Sequence, residues 1–245
     1  MYAVISDLHS NLPALTAVFA DIDAQKIDEV ICLGDVVGYG PFPVECLKLV
    51  KERVKVTLLG NHDEAVLGEA LSFSTNAQQV VDWTREQLPR DDPEMAELWE
   101  FMGDMQMIWE RKPDLFVHGS PVDPTQEYLL PTDDLKSTKY DDVFGEFQRM
   151  CFVGHTHLPC VITPDRRVRR AKELKNEYRL DDDQAIVNVG SVGQPRDGDP
   201  RACYVVVDGD RIRWRRVSYD VDATASRIRE LGLPAALADR LMIGK

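Results

Sequence analysis

The chain has 245 residues, 44% hydrophobic and 29% charged, values ordinary for a folded globular protein that exclude intrinsic disorder as its main state. Basic side chains number 29 against 42 acidic ones, a formal net charge of −13, which argues against general nucleic-acid binding or attachment to an anionic membrane. No apolar run reaches the roughly 20 residues of a membrane span. The start, Met1 to Asp7, lacks the basic region of a signal peptide, so a cytoplasmic location is expected.

Taken in chain order, Tyr2–Ile5 predicts a first buried strand. A helix follows, with Asn11 as N-cap, Pro13 in the first turn, and Leu12, Leu15, Val18, Phe19 and Ile22 at helical spacing. Val30–Leu33 predicts a second strand, Pro43 to Arg53 a second helix, and Val54–Leu59 a third strand. This alternation implies βαβ units and a largely parallel opening. From about Asn76 to Arg111 two helical patterns flank Pro89 to Pro93. The second carries Met95, Leu98, Phe101, Met102, Met105, Ile108 and Trp109, a stripe that reads as a helix packed on the core, with a lid or partner face as the alternative. Further strands are predicted at Leu115–Val117, Cys151–Val153, Ile186–Val189 and Tyr204–Val207, with a turn at Asp208-Gly209-Asp210 before Ile212–Val217. The run Arg166 to Arg170 reads as a solvated hairpin rather than an RNA contact. Two helices, about Ala223–Leu231 and Ala235–Met242, close a single domain, 1–245, with a helical insertion at about 76–111. The five cysteines, scattered and without a CxxC pair, are expected to be reduced and buried.

All five histidines follow directly on apolar runs. Asp7-Leu8-His9 follows the first and Gly34-Asp35 the second. Gly60-Asn61-His62-Asp63 follows the third, His118-Gly119 the fourth, and Gly154-His155-Thr156-His157 the fifth. Ligand-binding residues of open α/β sheets collect at the carboxyl ends of strands. Extended residues at i and i+2 point the same way, so Asp7 with His9, and His155 with His157, are expected to face one point. Four imidazoles, two carboxylates and an amide together suit divalent transition metals. Any one of these histidines alone reads better as a satisfied core residue than as a ligand. Together, without metal, they would be desolvated with no compensation.

In this order, Asp7-x-His9, Gly34-Asp35, Gly60-Asn61-His62-Asp63, His118 and Gly154-His155-x-His157 resemble the motifs of the calcineurin-like metallophosphoesterase superfamily. The segment Asn188-Val-Gly-Ser-Val-Gly-Gln-Pro-Arg196 resembles the tail of its small bacterial phosphodiesterase branch. The resemblance implies an α/β fold in four layers, an αββα sandwich of two mixed sheets flanked by helices, the second sheet more antiparallel than the first. It implies one metal held by Asp7, His9, Asp35 and His157, and another held by Asp35, Asn61, His118 and His155. Asp35 would bridge them. His62 would be catalytic and no ligand, with Asp63 orienting it. Two divalent ions are the implied cofactors, manganese first, with iron, zinc, cobalt or nickel as alternatives.

One stretch departs from the pattern. The protein-phosphatase and diadenosine-tetraphosphatase branches carry Gly-Asp-x-Val-Asp-Arg-Gly, whereas Gly34 to Gly40 contains no Asp-Arg pair. The absent arginine points away from phosphoproteins and dinucleoside polyphosphates and toward small phosphodiesters. Arg196 is the remaining phosphate-binding candidate, its alternative being an ion pair with Asp197 or Asp199. Asn11 is a second candidate, unless it only caps its helix. The implied reaction is direct attack on phosphorus by a hydroxide shared between two metals. His62 would stabilise the transition state or protonate the leaving oxygen, and no serine or cysteine nucleophile is needed. The small ester is the one partner expected. A non-catalytic binding scaffold and a phosphomonoester or phosphoprotein phosphatase are the alternatives.

Overall fold

Strand pairing in the computed structural model, which describes residues 1–68, 73–134, 137–180 and 183–245, sets the layers. The elements in chain order are β1 (Tyr2–Ile5), α1 (Leu12–Ala24), β2 (Val30–Cys32), α2 (Pro43–Arg53), β3 (Val56–Thr57), α3 (Asn61–Leu67), α4 (Thr75–Glu86), α5 (Pro93–Gly103), β4 (Ile108–Arg111), β5 (Asp114–Val117), α6 (Thr138–Gly145), β6 (Met150–Val153), β7 (Cys160–Thr163), β8 (Arg167–Arg170), β9 (Glu177–Arg179), β10 (Ala185–Asn188), β11 (Ala202–Asp208), β12 (Arg211–Val217), α7 (Val221–Glu230) and α8 (Ala235–Ile243). Among the described residues they form two six-stranded sheets, β3-β2-β1-β11-β12-β9 and β4-β5-β6-β10-β7-β8.

Side chains alternate between the two faces of each strand, and both faces are covered. Val4, Val205, Phe116, Phe152 and Val187 fill the layer between the sheets. Ala3, Ile5, Tyr204 and Val206 point from the first sheet toward residues of α1, α2 and α5. Cys151, Val153 and Ile186 point from the second sheet toward Tyr140, Val143 and Phe144 of α6. This is the expected four-layer arrangement. All five cysteines are free and buried, and no helix of the described residues is long and apolar enough to cross a membrane.

Two expectations are corrected. The sheets are mixed to the same degree: β1–β2–β3 and β5–β6–β10 are parallel, and the remaining pairs in each sheet are antiparallel. The first sheet is completed by β11, β12 and β9, which return to it from the end of the chain. The second helical pattern does not reach Arg111. α5 stops at Gly103, where the Asp104 and Met105 amides donate back to the Glu100 and Met102 carbonyls. Ile108 and Trp109 belong to β4, an edge strand antiparallel to β5. The spacing of Met105, Ile108 and Trp109 imitates a helical face, because Met105 and Trp109 both reach apolar clusters, from a loop and a strand respectively. The arginine-rich run forms β8, hairpinned onto β7, as expected.

Phe116 and Phe152 stack 4.9 Å apart in the inter-sheet layer and neither is exposed. Phe152→Ala is expected to cost about 3–5 kcal/mol in urea unfolding, since neighbouring strands cannot collapse into the void. A loss below about 1 kcal/mol would contradict this packing.

Candidate metal centre

The two parallel trios of strands end at one place. Asp7 and His9 follow β1, Asp35 follows β2 and Asn61 opens α3 just after β3. From the other sheet, His118 follows β5, while His155 and His157 follow β6. The backbone there is not extended. Asp7, His9, Asp35, His155 and His157 all have left-handed φ values, of 54, 46, 53, 62 and 60°. Tight curls, each costing on the order of 1–3 kcal/mol in a non-glycine residue, replace the expected extended geometry; Asp7 and His9 still meet in one donor group, whereas His155 and His157 fall in two. Two glycines permit the crowding: a Cβ at Gly60 would collide with the Asp35 carboxylate, and one at Gly154 with Ser6 and the Asp7 carboxylate.

Each inward imidazole is fixed by its outer nitrogen. His9 Nδ1 donates to the Val37 carbonyl at 3.2 Å, His118 Nδ1 to Leu33 at 3.1 Å, and His157 Nδ1 to Gln194 at 2.6 Å. His155 is reversed, its Nε2 donating to the Gln126 carbonyl at 3.2 Å. A carbonyl only accepts, so these nitrogens hold the protons and the inner ones present lone pairs. Burial holds all four imidazoles below their ordinary pKa, which keeps a second proton off.

The inner nitrogens nevertheless face one another. His9 Nε2 lies 3.1 Å from His157 Nε2, and His118 Nε2 lies 3.1 Å from His155 Nδ1 and 3.2 Å from Asn61 Oδ1. Lone pair against lone pair is no hydrogen bond. Two donors each about 2.1 Å from a shared cation and at right angles to each other stand about 3.0 Å apart. Asp35 Oδ2 lies between the pairs, 3.6 Å from His9 Nε2 and 3.5 Å from His118 Nε2. Asp7 Oδ1 lies 3.1 Å from His157 Nε2. Burial, with the carboxylates of Asp7 and Asp63, pushes the Asp35 carboxyl well above its usual range, an imbalance that cations would relieve. The donors fall into three overlapping groups, Asp7-His9-His157, His9-Asp35-His62 and Asp35-His118-His155. This set fits two divalent ions.

A family profile described as the calcineurin-like phosphoesterase superfamily domain matches residues 1–211. The chain belongs to the calcineurin-like phosphoesterase superfamily. It is similar to an uncharacterized protein of Methanocaldococcus jannaschii, 36% identical over 257 residues that cover 100% of this chain and 98% of the relative. The solved metallophosphoesterase of Sphaerobacter thermophilus is also 36% identical, with a TM-score of 0.82 over 100% of this chain and 99% of that one. A hypothetical protein of Pyrococcus horikoshii shares the fold at 21% identity, with a TM-score of 0.78 over 100% and 98% of the two chains.

The remaining candidates sort differently. His62 lies on α3, with its ring 4.9 Å from that of His9 and its Nδ1 buried without a partner among the described residues. Asp63 does not orient it. The Asp63 carboxylate accepts from the Val36, Val37 and Gly60 amides, at 3.3, 3.0 and 3.1 Å, and so caps α3 and ties down the loop after Asp35. Asn11 is likewise spent on structure. Its Oδ1 accepts from the Ala14 amide and the Thr224 hydroxyl, and its Nδ2 donates to the Gly193 carbonyl, so no group is left for substrate. Arg196 is not paired with either expected acid, because Asp197 binds Arg216 and Asp199 binds Arg201. It donates to Gln194 Oε1 at 2.9 Å and lies over Tyr39, whose ring is 4.6 Å from that of His9 and 4.4 Å from that of His62.

The tail segment proves to be a brace. Asn188 Nδ2 donates to Gly154 O and Thr156 Oγ1, and Ser191 Oγ donates to Asp7 O. The Val192 and Gly193 amides donate to the Ser6 and Asp7 carbonyls. Nothing at Asn188 itself announces partners 34 and 32 residues away; only its place in the tail marks it.

Metal analysis checks the sharing of Asp35. Asp35→Asn is expected to deplete both ions and His157→Ala mainly one; two tightly held ions in Asp35→Asn would contradict the bridge. A pH effect also follows for the metal-stripped protein. All five histidines are held below their ordinary pKa, His62 at about 3 and His155 at about 2, burial being the largest cause. Below about pH 6.5 the unfolded chain therefore binds protons that the native state refuses, and stability falls with pH. Asp35 and Asp63, raised by burial, oppose this as two groups against five. The urea midpoint is expected to be lower at pH 5 than at pH 7, and a higher one would contradict the assignment.

Proposed function

We propose that this phosphoesterase hydrolyses small phosphate diesters at a pair of divalent ions, one held by Asp7, His9, Asp35 and His157, the other by Asp35, Asn61, His118 and His155. The reading rests on the unpaired inner nitrogens that face one another on either side of Asp35 Oδ2. Two divalent ions in such a site supply Lewis acidity toward phosphoryl oxygens and lower the pKa of water. Imidazole, carboxylate and amide donors accept manganese, and also iron, zinc, cobalt or nickel.

The chain's own residues supply the rest. His62 lines the cleft beside His9, and burial takes its pKa down to about 3. The ring is thus neutral in the free site and can donate an N–H to a phosphoryl or leaving oxygen. An arriving phosphate anion raises its pKa and readies it to pass a proton to that oxygen. Arg196, in no ion pair with an acid of the described residues, carries positive charge to the Tyr39 side of the site and can hold a non-bridging oxygen where the Asp-Arg pair of other branches is missing. A lone arginine favours a diester, which carries one negative charge, over a phosphoserine peptide.

Assays of a metal-loaded His62→Ala variant test this division of labour. Both ions should stay bound, while kcat on a diester with a poor leaving group falls about 10²–10⁴-fold. The loss should shrink for a nitrophenyl ester, whose leaving oxygen needs no proton. Equal losses for both esters would contradict the acid role, and loss of metal would make His62 a ligand. A higher kcat/KM on phosphoserine peptides than on small diesters would overturn the substrate class.

A further inference from the structure

A cleft of about 880 Å³ opens beside the metal centre, within the size range of small-molecule sites. Three aromatic rings stand on its walls. Tyr39 and Phe73 flank His62, with ring centroids 4.4 and 4.8 Å from it. Tyr128 covers His155 with ring centroids 3.7 Å apart and planes tilted by 30°, and the residue is 44% exposed, so its ring is open to the cleft. Metal binding and acid catalysis need none of these rings.

The cleft also holds a carboxylate that suits no phosphate. Glu64 Oε2 accepts from Thr125 Oγ1 at 2.9 Å and from Gln126 Nε2 at 2.6 Å. No cation of the described residues pairs with it. Beside a centre that takes an anion, a half-buried carboxylate repels the phosphoryl group and welcomes an uncharged group rich in N–H donors. Gln126 ties this carboxylate to the aromatic wall, because its own carbonyl accepts from His155, the residue under Tyr128.

We propose that the cleft is a base-binding subsite and that the diester is a purine nucleotide, its base stacked on Tyr128 and its N–H edge read by Glu64. The inference rests on the phosphoesterase reading above for the fate of the phosphate, and on Tyr128, Glu64 and Gln126 for the base. Every base has a π-face for a tyrosine, so stacking alone selects nucleotides over simple esters. A carboxylate adds direction. Guanine presents adjacent ring N–H and amino donors that can converge on Glu64 Oε1, the carboxylate oxygen to which no described residue donates, whereas hypoxanthine lacks the amino group.

Calorimetric titration of the manganese-loaded protein with guanosine 5′-monophosphate, inosine 5′-monophosphate and ribose 5-phosphate tests this without relying on turnover. The guanosine nucleotide is expected to bind at least about tenfold tighter than ribose 5-phosphate, with the inosine nucleotide between them. Tyr128→Ala should bring the first and last to within about twofold of each other, while Tyr128→Phe keeps the preference. Glu64→Gln should erase the difference between guanosine and inosine nucleotides. Equal binding of all three by the wild-type protein, or a preference untouched by Tyr128→Ala, would overturn the subsite. Failure of the phosphoesterase reading shows separately, as absence of hydrolysis of a simple aryl diester with every metal.

Discussion

Four main-chain carbonyls, those of Leu33, Val37, Gln126 and Gln194, each take the outer proton of one imidazole and thereby turn its inner lone pair toward Asp35. Everything else in the site follows from that constraint. Neutral rings with fixed tautomers cannot hydrogen-bond to one another at 3.1 Å, and burial prevents them from solving the problem by taking up protons. Two buried carboxylates lie among them with too few donors to satisfy them. Cations remove the excess of acceptors on both counts, so the affinity of the site is built into the fold before any ion arrives.

Holding that arrangement is costly, and the cost is spread through the scaffold. Five non-glycine residues curl through left-handed conformations at the strand ends, a pattern that persists only where surrounding contacts over-determine it. Those contacts are identifiable. Asp63 gathers three amides around the loop that carries Asp35. Asn188 and Ser191 pin the loops of His155 and Asp7 from beneath. The two sheets supply the rigid frame, each bringing a parallel trio of strands whose ends meet at the site.

The sequence makes the frame and the donors legible for a definite physical reason. Short, doubly buried strands such as β1 and β6 must be apolar throughout, so a histidine or aspartate directly after one is conspicuous. The curls are not legible, because nothing in Asp7 or His157 by itself signals a positive φ. Asp63 is ambiguous for the same reason, since a carboxylate beside a histidine reads as its partner until Val36 and Val37 are seen to arrive from 27 and 26 residues away. Met105 and Trp109 mimic a helical face because a loop and an edge strand bring them to apolar clusters at helical spacing. The base-facing wall has no sequence signal at all: Glu64 on α3 meets Thr125 and Gln126, 61 and 62 residues on, in a loop without periodicity.

The account depends on two cations sharing one carboxylate oxygen. Anomalous diffraction from crystals grown with manganese measures that directly. Two peaks roughly 3.5–4 Å apart are expected on either side of Asp35 Oδ2, one against Asp7, His9 and His157 and the other against Asn61, His118 and His155. A single peak, or two peaks of which one does not contact Asp35, would contradict it.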